Sequence, residues 1–227
     1  MGRPPDVERR AELLDAVVAY LAENGLADVS LRPMAKAIGV SVNALSHHFG
    51  AKEEIVVAAL RRANEMQLAV LDGWLAKQPT PTQSTLLRRW WRWINTSPER
   101  LALVRLGLEA AALEATAAGL PGAVRADQIG LWRLDLERRL RAEGLPRGQV
   151  ELEASLVKAM FTGLVVDLIA TGERRRLGRA LDVALDRLDL LIADGRTDPP
   201  PRVDPLPVSQ VEPNQTSTNR SRRGQNR

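Results

Sequence analysis

The stretch Val29–Glu54, VSLRPMAKAIGVSVNALSHHFGAKEE, limits the fold more than any other part of the chain. It reads as two short helices broken at one glycine and followed at once by a third. Ser30 is placed to cap the first helix, Pro33 is tolerated in its first turn, and Met34, Ala35 and Ile38 form its apolar stripe. Gly39 permits a positive-φ turn, and Ser41 caps the second helix. Val40 and Leu45 must pack on the first helix across small Ala35. The other faces of the second helix carry Val42, Asn43, Ala44, Ser46, His47 and His48. These are short or hydrogen-bonding side chains, the kind that reach base edges and phosphates in a major groove. The pattern is that of a helix-turn-helix.

From about Arg9 to Ile55 the chain resembles the DNA-binding domain of the TetR (tetracycline-repressor-like) family of bacterial transcription regulators. The resemblance rests on Leu14, Ala16, Tyr20, Glu23 and Gly25, then Ser30, Met34, Ala35, Ile38, Gly39-Val40-Ser41 and Leu45, and the block His47-His48-Phe49-Gly50 with Lys52-Glu53. So many matches at fixed spacing are far more specific than a lone helix-turn-helix. Two positions depart from the family pattern. Asn43 stands where glycine or proline is common, and Ser46 where a tyrosine touching the DNA backbone is frequent; both bear on operator preference and affinity, not on fold. The resemblance implies an all-α protein with a three-helix DNA-binding head at 1–51 and a helical ligand-binding and dimerisation body at 52–195. It also implies a homodimer on double-stranded operator DNA, with a small molecule held in the body.

Composition narrows the class further. With no cysteine, disulfides and thiolate metal sites are excluded. No apolar run reaches the roughly 18–20 uncharged residues that span a bilayer, and Met1–Arg10 lacks the apolar stretch of a signal peptide. A soluble cytoplasmic protein without membrane contact is expected. The isoelectric point near 10.1 invites a nucleic-acid partner. Yet residues 196–227 hold six arginines against Asp198, Asp204 and Glu212, a net of +3 out of the whole +4. That proline-rich, basic segment is expected to be disordered, either an inert tail or a weak nonspecific tether to DNA.

Residues 1–52 carry six basic side chains (Arg3, Arg9, Arg10, Arg32, Lys36, Lys52) and six acidic ones (Asp6, Glu8, Glu12, Asp15, Glu23, Asp28), so the head is neutral. Phosphate attraction must come from placement: Arg3 on an N-terminal arm, Arg32 near a helix start, and Lys52 at the start of a helix whose N–H groups favour an anion. Arg9 and Arg10 read as solvated surface charges. For Lys52 the resemblance implies a phosphate contact.

Apolar periodicity places helices near 6–24, 31–38, 42–48, 52–77, 83–96, 98–117, 122–143, 149–171 and 177–194. In the helix around Leu86–Ile94, Trp93, Leu86, Trp90, Ile94, Leu87 and Trp91 fill one broad arc, with Arg88, Arg89 and Arg92 opposite. Trp90, Trp93, Met66, Trp132, Met160 and Phe161 are candidates to line an apolar pocket, against the alternative of ordinary core packing. Glu109 and Asp167 are its candidate polar handles, although an ion pair or dimer contact accounts for each as well, Glu109 standing four residues after Arg105. The helix at 149–171 is apolar nearly all round from Leu156 to Ala170, which requires cover on two sides. With the stripe on the following helix it suggests a dimer interface of Leu156, Leu164, Leu168, Leu181, Leu185 and Leu188, a purely intramolecular bundle being the alternative.

Catalytic chemistry has little to work with. Adjacent His47 and His48 point about 100° apart on a helix and cannot form an i,i+4 metal pair. There is no G-x-S-x-G elbow and no phosphate-cradling glycine loop, so neither enzyme activity, metal nor cofactor is expected. The reading is a repressor released from a palindromic operator by a small apolar ligand. The alternative is an all-helical protein-interaction or small-molecule-binding module that no longer binds DNA.

Overall fold

In a computed structural model of the chain, residues 5–115 and 123–195 are described, with side chains over 7–113 and 132–195. Arg3 and the 196–227 tail lie outside them. The described residues form nine helices and no strand: α1 (Pro5–Asn24), α2 (Leu31–Ala37), α3 (Val42–Phe49), α4 (Lys52–Lys77), α5 (Gln83–Ile94), α6 (Pro98–Ala115), α7 (Ala123–Ala142), α8 (Arg147–Thr171) and α9 (Arg174–Gly195).

Helix ends follow local chemistry. Gly172 at φ 71° closes α8 by donating its N–H to Leu168 O at 2.9 Å. α9 starts three residues before the expected 177, because its first turn is all arginine and invisible to apolar periodicity. Phe49 extends α3 by one residue. Ser41 caps α3, its Oγ accepting the Ala44 N–H at 3.1 Å, whereas Ser30 sits at the N-cap of α2 without a side-chain cap bond. That corrects one expected cap.

Two apolar cores organise the packing. The first joins α1 to α3, the N-terminal half of α4 and the inner face of α6, through Val17, Leu21, Met34, Leu45, Ile55, Leu60 and Leu106. It therefore crosses the 51/52 boundary drawn from sequence. The second joins α5, α7, α8 and α9 through Leu87, Trp91, Leu140, Phe161, Leu177, Leu181 and Leu185. Burying each such side chain contributes about 1.5–3 kcal/mol. Trp93 packs against both cores.

Polar ties fix the helices to one another. Arg62 on α4 grips Asp15 on α1 with two bonds, Nε–Oδ1 2.6 Å and Nη2–Oδ2 3.1 Å. Arg105 on α6 donates to Ala22 O at 2.6 Å, near the C-terminal end of α1. Arg88 on α5 faces Asp182, Asp186 and Asp189 on α9, and Ser84 donates to Asp189 at 2.6 Å.

The expected dimer stripe is corrected in part. Leu168, Leu181, Leu185 and Leu188 are buried within their own chain, and Leu164 packs on the same core. They face inward because α9 uses its 177–181–185–188–192 stripe to close the body. Leu156, in contrast, is 61% exposed, and the outward faces of α8 and α9 also show Leu152, Val166, Ile169, Val183 and Leu190. α8 is the one helix among the described residues long and apolar enough to cross a bilayer by length and composition. Apolar side chains on both its inward and outward faces are what make it so.

Candidate nucleic-acid interface and cavities

α2 and α3 meet through a turn that only a few backbones can make. Gly39 sits at φ 75° with nothing within 4 Å of where a Cβ would stand, so the dihedral and not space favours glycine there. Val40 N–H donates to Ala35 O at 2.9 Å, which tucks Val40 against α2. Leu45 and Phe49 of α3 are buried, and Ser41, Asn43, Ser46 and His47 face out, with Val42, Ala44 and His48 half-buried beside them. The structure thus brings the expected reading residues onto one exposed helix. The His47 and His48 rings stand edge to face, centroids 5.4 Å apart.

Arg10, read from sequence as a solvated charge, does more. Its Nε donates to His48 O at 3.3 Å and its guanidinium carbon lies 4.9 Å from the Phe49 ring centroid. It latches α1 over the C-terminal end of α3. Sequence periodicity gave no sign of it, because the contact joins residues 38 positions apart.

The start of α4 is less open to an anion than its sequence suggests. Glu54 Oε2 accepts the Ala51 N–H at 2.7 Å, and a Cβ on Gly50 would stand 2.0 Å from that oxygen. Lys52 lies 3.6 Å from Glu53, both about half exposed. Such exposed pairs contribute about 0–1 kcal/mol, so the ammonium can exchange Glu53 for a phosphate at little cost. Arg32 is exposed near the start of α2.

The residues expected in one ligand pocket fall into separate places. Trp90 and Trp132 line a small cavity of about 60 Å³ between α4, α5 and α7, which adjoins a cleft of about 440 Å³ between α4 and α7. Asn64, Leu68, Leu71, Trp132, Asp135 and Arg139 line both. Met66 and Trp93 line a different cleft, bounded by α1, α4 and the start of α6. Phe161 is core, its ring meeting Trp91 and Trp132, and Met160 packs on the same cluster. Glu109 pairs with Arg105 at 3.3 Å and accepts the Leu26 N–H, while Asp167 is held by Arg176 at 2.9 Å. Both carboxylates are structural because cationic or N–H partners from the same chain already satisfy them.

Sequence reasoning missed two cavity residues. Trp74 meets Trp90 edge to face at 5.6 Å and shares the cavity wall; its place on the stripe 67–71–74 of α4 was a readable signal. Gln83 lines the same cavity and is buried, with no hydrogen-bond partner on its Oε1. Among the described residues no three His, Asp or Glu side chains gather to hold a metal ion.

Residues 13–59 match the family model described as bacterial regulatory proteins, tetR family. The chain is 26% identical over 204 residues to the HTH-type transcriptional regulator BetI of Paraburkholderia phytofirmans, covering 82% of this chain and 94% of that protein. Over 53 residues it is 43% identical to the HTH-type transcriptional repressor KstR2 of Mycobacterium tuberculosis, 23% of this chain and 26% of the relative. A crystal structure of a transcriptional regulator from Rhodococcus sp. Rha1 superposes with a TM-score of 0.68 at 25% identity, covering 84% of this chain and 99% of that one. With a helix-turn-helix set out from an all-α body, residues 13–59 belong to the tetR family of bacterial regulatory proteins, and the chain along most of its length is similar to transcriptional regulators of that kind.

Proposed function

We propose that the chain is a homodimeric repressor that reads a palindromic operator with α3 and is released by a small, largely apolar ligand. The observation that carries the reading is the outward face of α3, with Ser41, Asn43, Ser46 and His47 exposed on a helix anchored by Leu45 and Phe49. Side chains of this size approach base edges closely, and phosphates are met by Lys52, Arg32 and Arg3. Two half-sites one helical turn apart call for a two-fold protein. The apolar outward faces of α8 and α9 supply a surface for it, since α8 needs cover on its second side. In this reading the head works from α1–α3, the body from α4 onward, and the protein acts in the cytoplasm where its DNA is.

The ligand enters the α4/α7 cleft beside Trp132 and reaches the adjoining cavity lined by Trp74, Trp90 and Gln83. Release follows if the ligand prefers the head spacing that does not fit DNA, by its differential affinity and by no more than that. No catalytic step is assigned to any residue. A mobility-shift assay with the DNA upstream of the gene tests the reading. Salt-sensitive, sequence-specific retardation supports it, and its absence there and in a genomic selection leaves the non-DNA-binding module as the better account.

A further inference from the structure

The stacked pair Trp90–Trp93, centroids 4.8 Å apart and inclined 27°, is a wall between two cavities. Trp90 lines the cavity in the body. Trp93 lines a cleft of about 720 Å³ between α1, α4 and the start of α6, a size typical of small-molecule sites. Its floor is apolar, with Val18, Ala22 and Leu103 buried, and its lining also carries Glu23, Glu99 and Arg100. The guanidinium carbon of Arg100 lies 5.3 Å from the Trp93 ring centroid. A planar cation on this indole is therefore already part of the geometry. Asp15, the remaining carboxylate of the lining, is engaged by Arg62. Glu99 is held ionised below the usual carboxylate range by backbone and Ser97 hydrogen bonds.

We propose that this head–body cleft is a second small-molecule site, taking a planar aromatic cation that stacks on Trp93 in place of Arg100 and sets its charge against Glu23 and Glu99. An occupant would touch α1, α4 and α6 together, so its affinity would depend on how the head sits on the body. The site does not rest on the α4/α7 cleft holding a ligand.

Equilibrium dialysis of the full chain against proflavin, a planar dye cation, tests this. Wild type retains the dye, and Ala19→Trp, which fills the cleft from an exposed position on α1, removes one dye per chain. Ala102→Phe, filling it from α6, does the same, so the result does not hang on one variant; unchanged helical circular dichroism shows that each has folded. Leu71→Trp, which fills the α4/α7 cleft, leaves that dye bound. Glu23→Gln with Glu99→Gln weakens binding about tenfold, and uncharged acridine at pH 8 binds at least tenfold more weakly than proflavin. The proposal is overturned if wild type binds no dye, if folded Ala19→Trp and Ala102→Phe keep full stoichiometry, or if acridine binds as well as proflavin. Dye lost with Leu71→Trp alone would support the body pocket and sink this second site. Dye lost with the cleft-filling variants alone would leave the body pocket without support and this site standing.

Discussion

Glu109 Oε2 accepts a hydrogen bond from the backbone N–H of Leu26 at 2.9 Å, across 83 residues of sequence. The same carboxylate pairs with Arg105, whose guanidinium reaches the carbonyls of Ala22 and Glu23 at the end of α1. One ion pair on α6 thus satisfies a donor and two acceptors where α1 stops. Glu109→Ala leaves the Leu26 N–H without its acceptor and should cost about 1–3 kcal/mol, read as a lower urea midpoint, while Glu109→Gln retains an acceptor and should cost less. Equal stability of wild type and Glu109→Ala would show that the tie contributes nothing.

Lys52 and Asn43 should fail in different ways. In the proposed reading Lys52 meets a phosphate and no base, so Lys52→Ala should weaken binding to every DNA sequence alike and lower the salt slope by about 1. Asn43 is exposed on α3, so Asn43→Ala should change the preferred sequence, at about 1–3 kcal/mol for a lost base contact. Selection from a randomised library at two salt concentrations separates the two. A Lys52→Ala variant with altered sequence preference would break the assignment.

The two faces of the α8–α9 pair give opposite expectations. Leu156 is exposed on the outward face, so Leu156→Arg should leave the chain folded and drive it from dimer to monomer in sedimentation velocity. Leu185 is fully buried in its own chain, so Leu185→Ala should cost about 2–5 kcal/mol by opening a cavity, whatever the oligomeric state. A Leu156→Arg protein that still sediments as a dimer would move the interface elsewhere.

What could be read from sequence was local. Gly39 with Ser41, and the apolar stripes of α1 through α4, set the head because each depends on residues within one or two turns. The arc of Leu86–Ile94 correctly turned Leu87, Trp91 and Ile94 inward, but periodicity has no access to what an inward face meets. Trp91 therefore went to the core against Phe161, while Trp90 and Trp93 became a wall between cavities. The α9 stripe was found correctly and given to the wrong partner, since 3.6-residue spacing marks a buried face without saying which chain buries it. Arg10 was misweighed for the same reason, while the i,i+4 pair of Glu109 with Arg105 was legible because both lie on one helical face. The partners that were not legible, His48 O for Arg10, Leu26 N–H for Glu109 and Arg176 for Asp167, lie in the tertiary fold.

Glu153 on α8 offers a test by pH. Burial raises its carboxyl above the usual value of 4.5, because a charge there loses water without gaining a compensating partner. The folded chain therefore holds this proton more tightly than the unfolded one. Stability should be greatest below the unfolded pKa and should fall as pH rises through the folded pKa. Glu153→Gln removes the charged form, so it should raise the melting temperature at pH 8, and the gain should shrink as pH falls toward 4. Calorimetry of both proteins at the two pH values checks this, and a difference that stays constant with pH would show that the gain comes from packing and not from the charge.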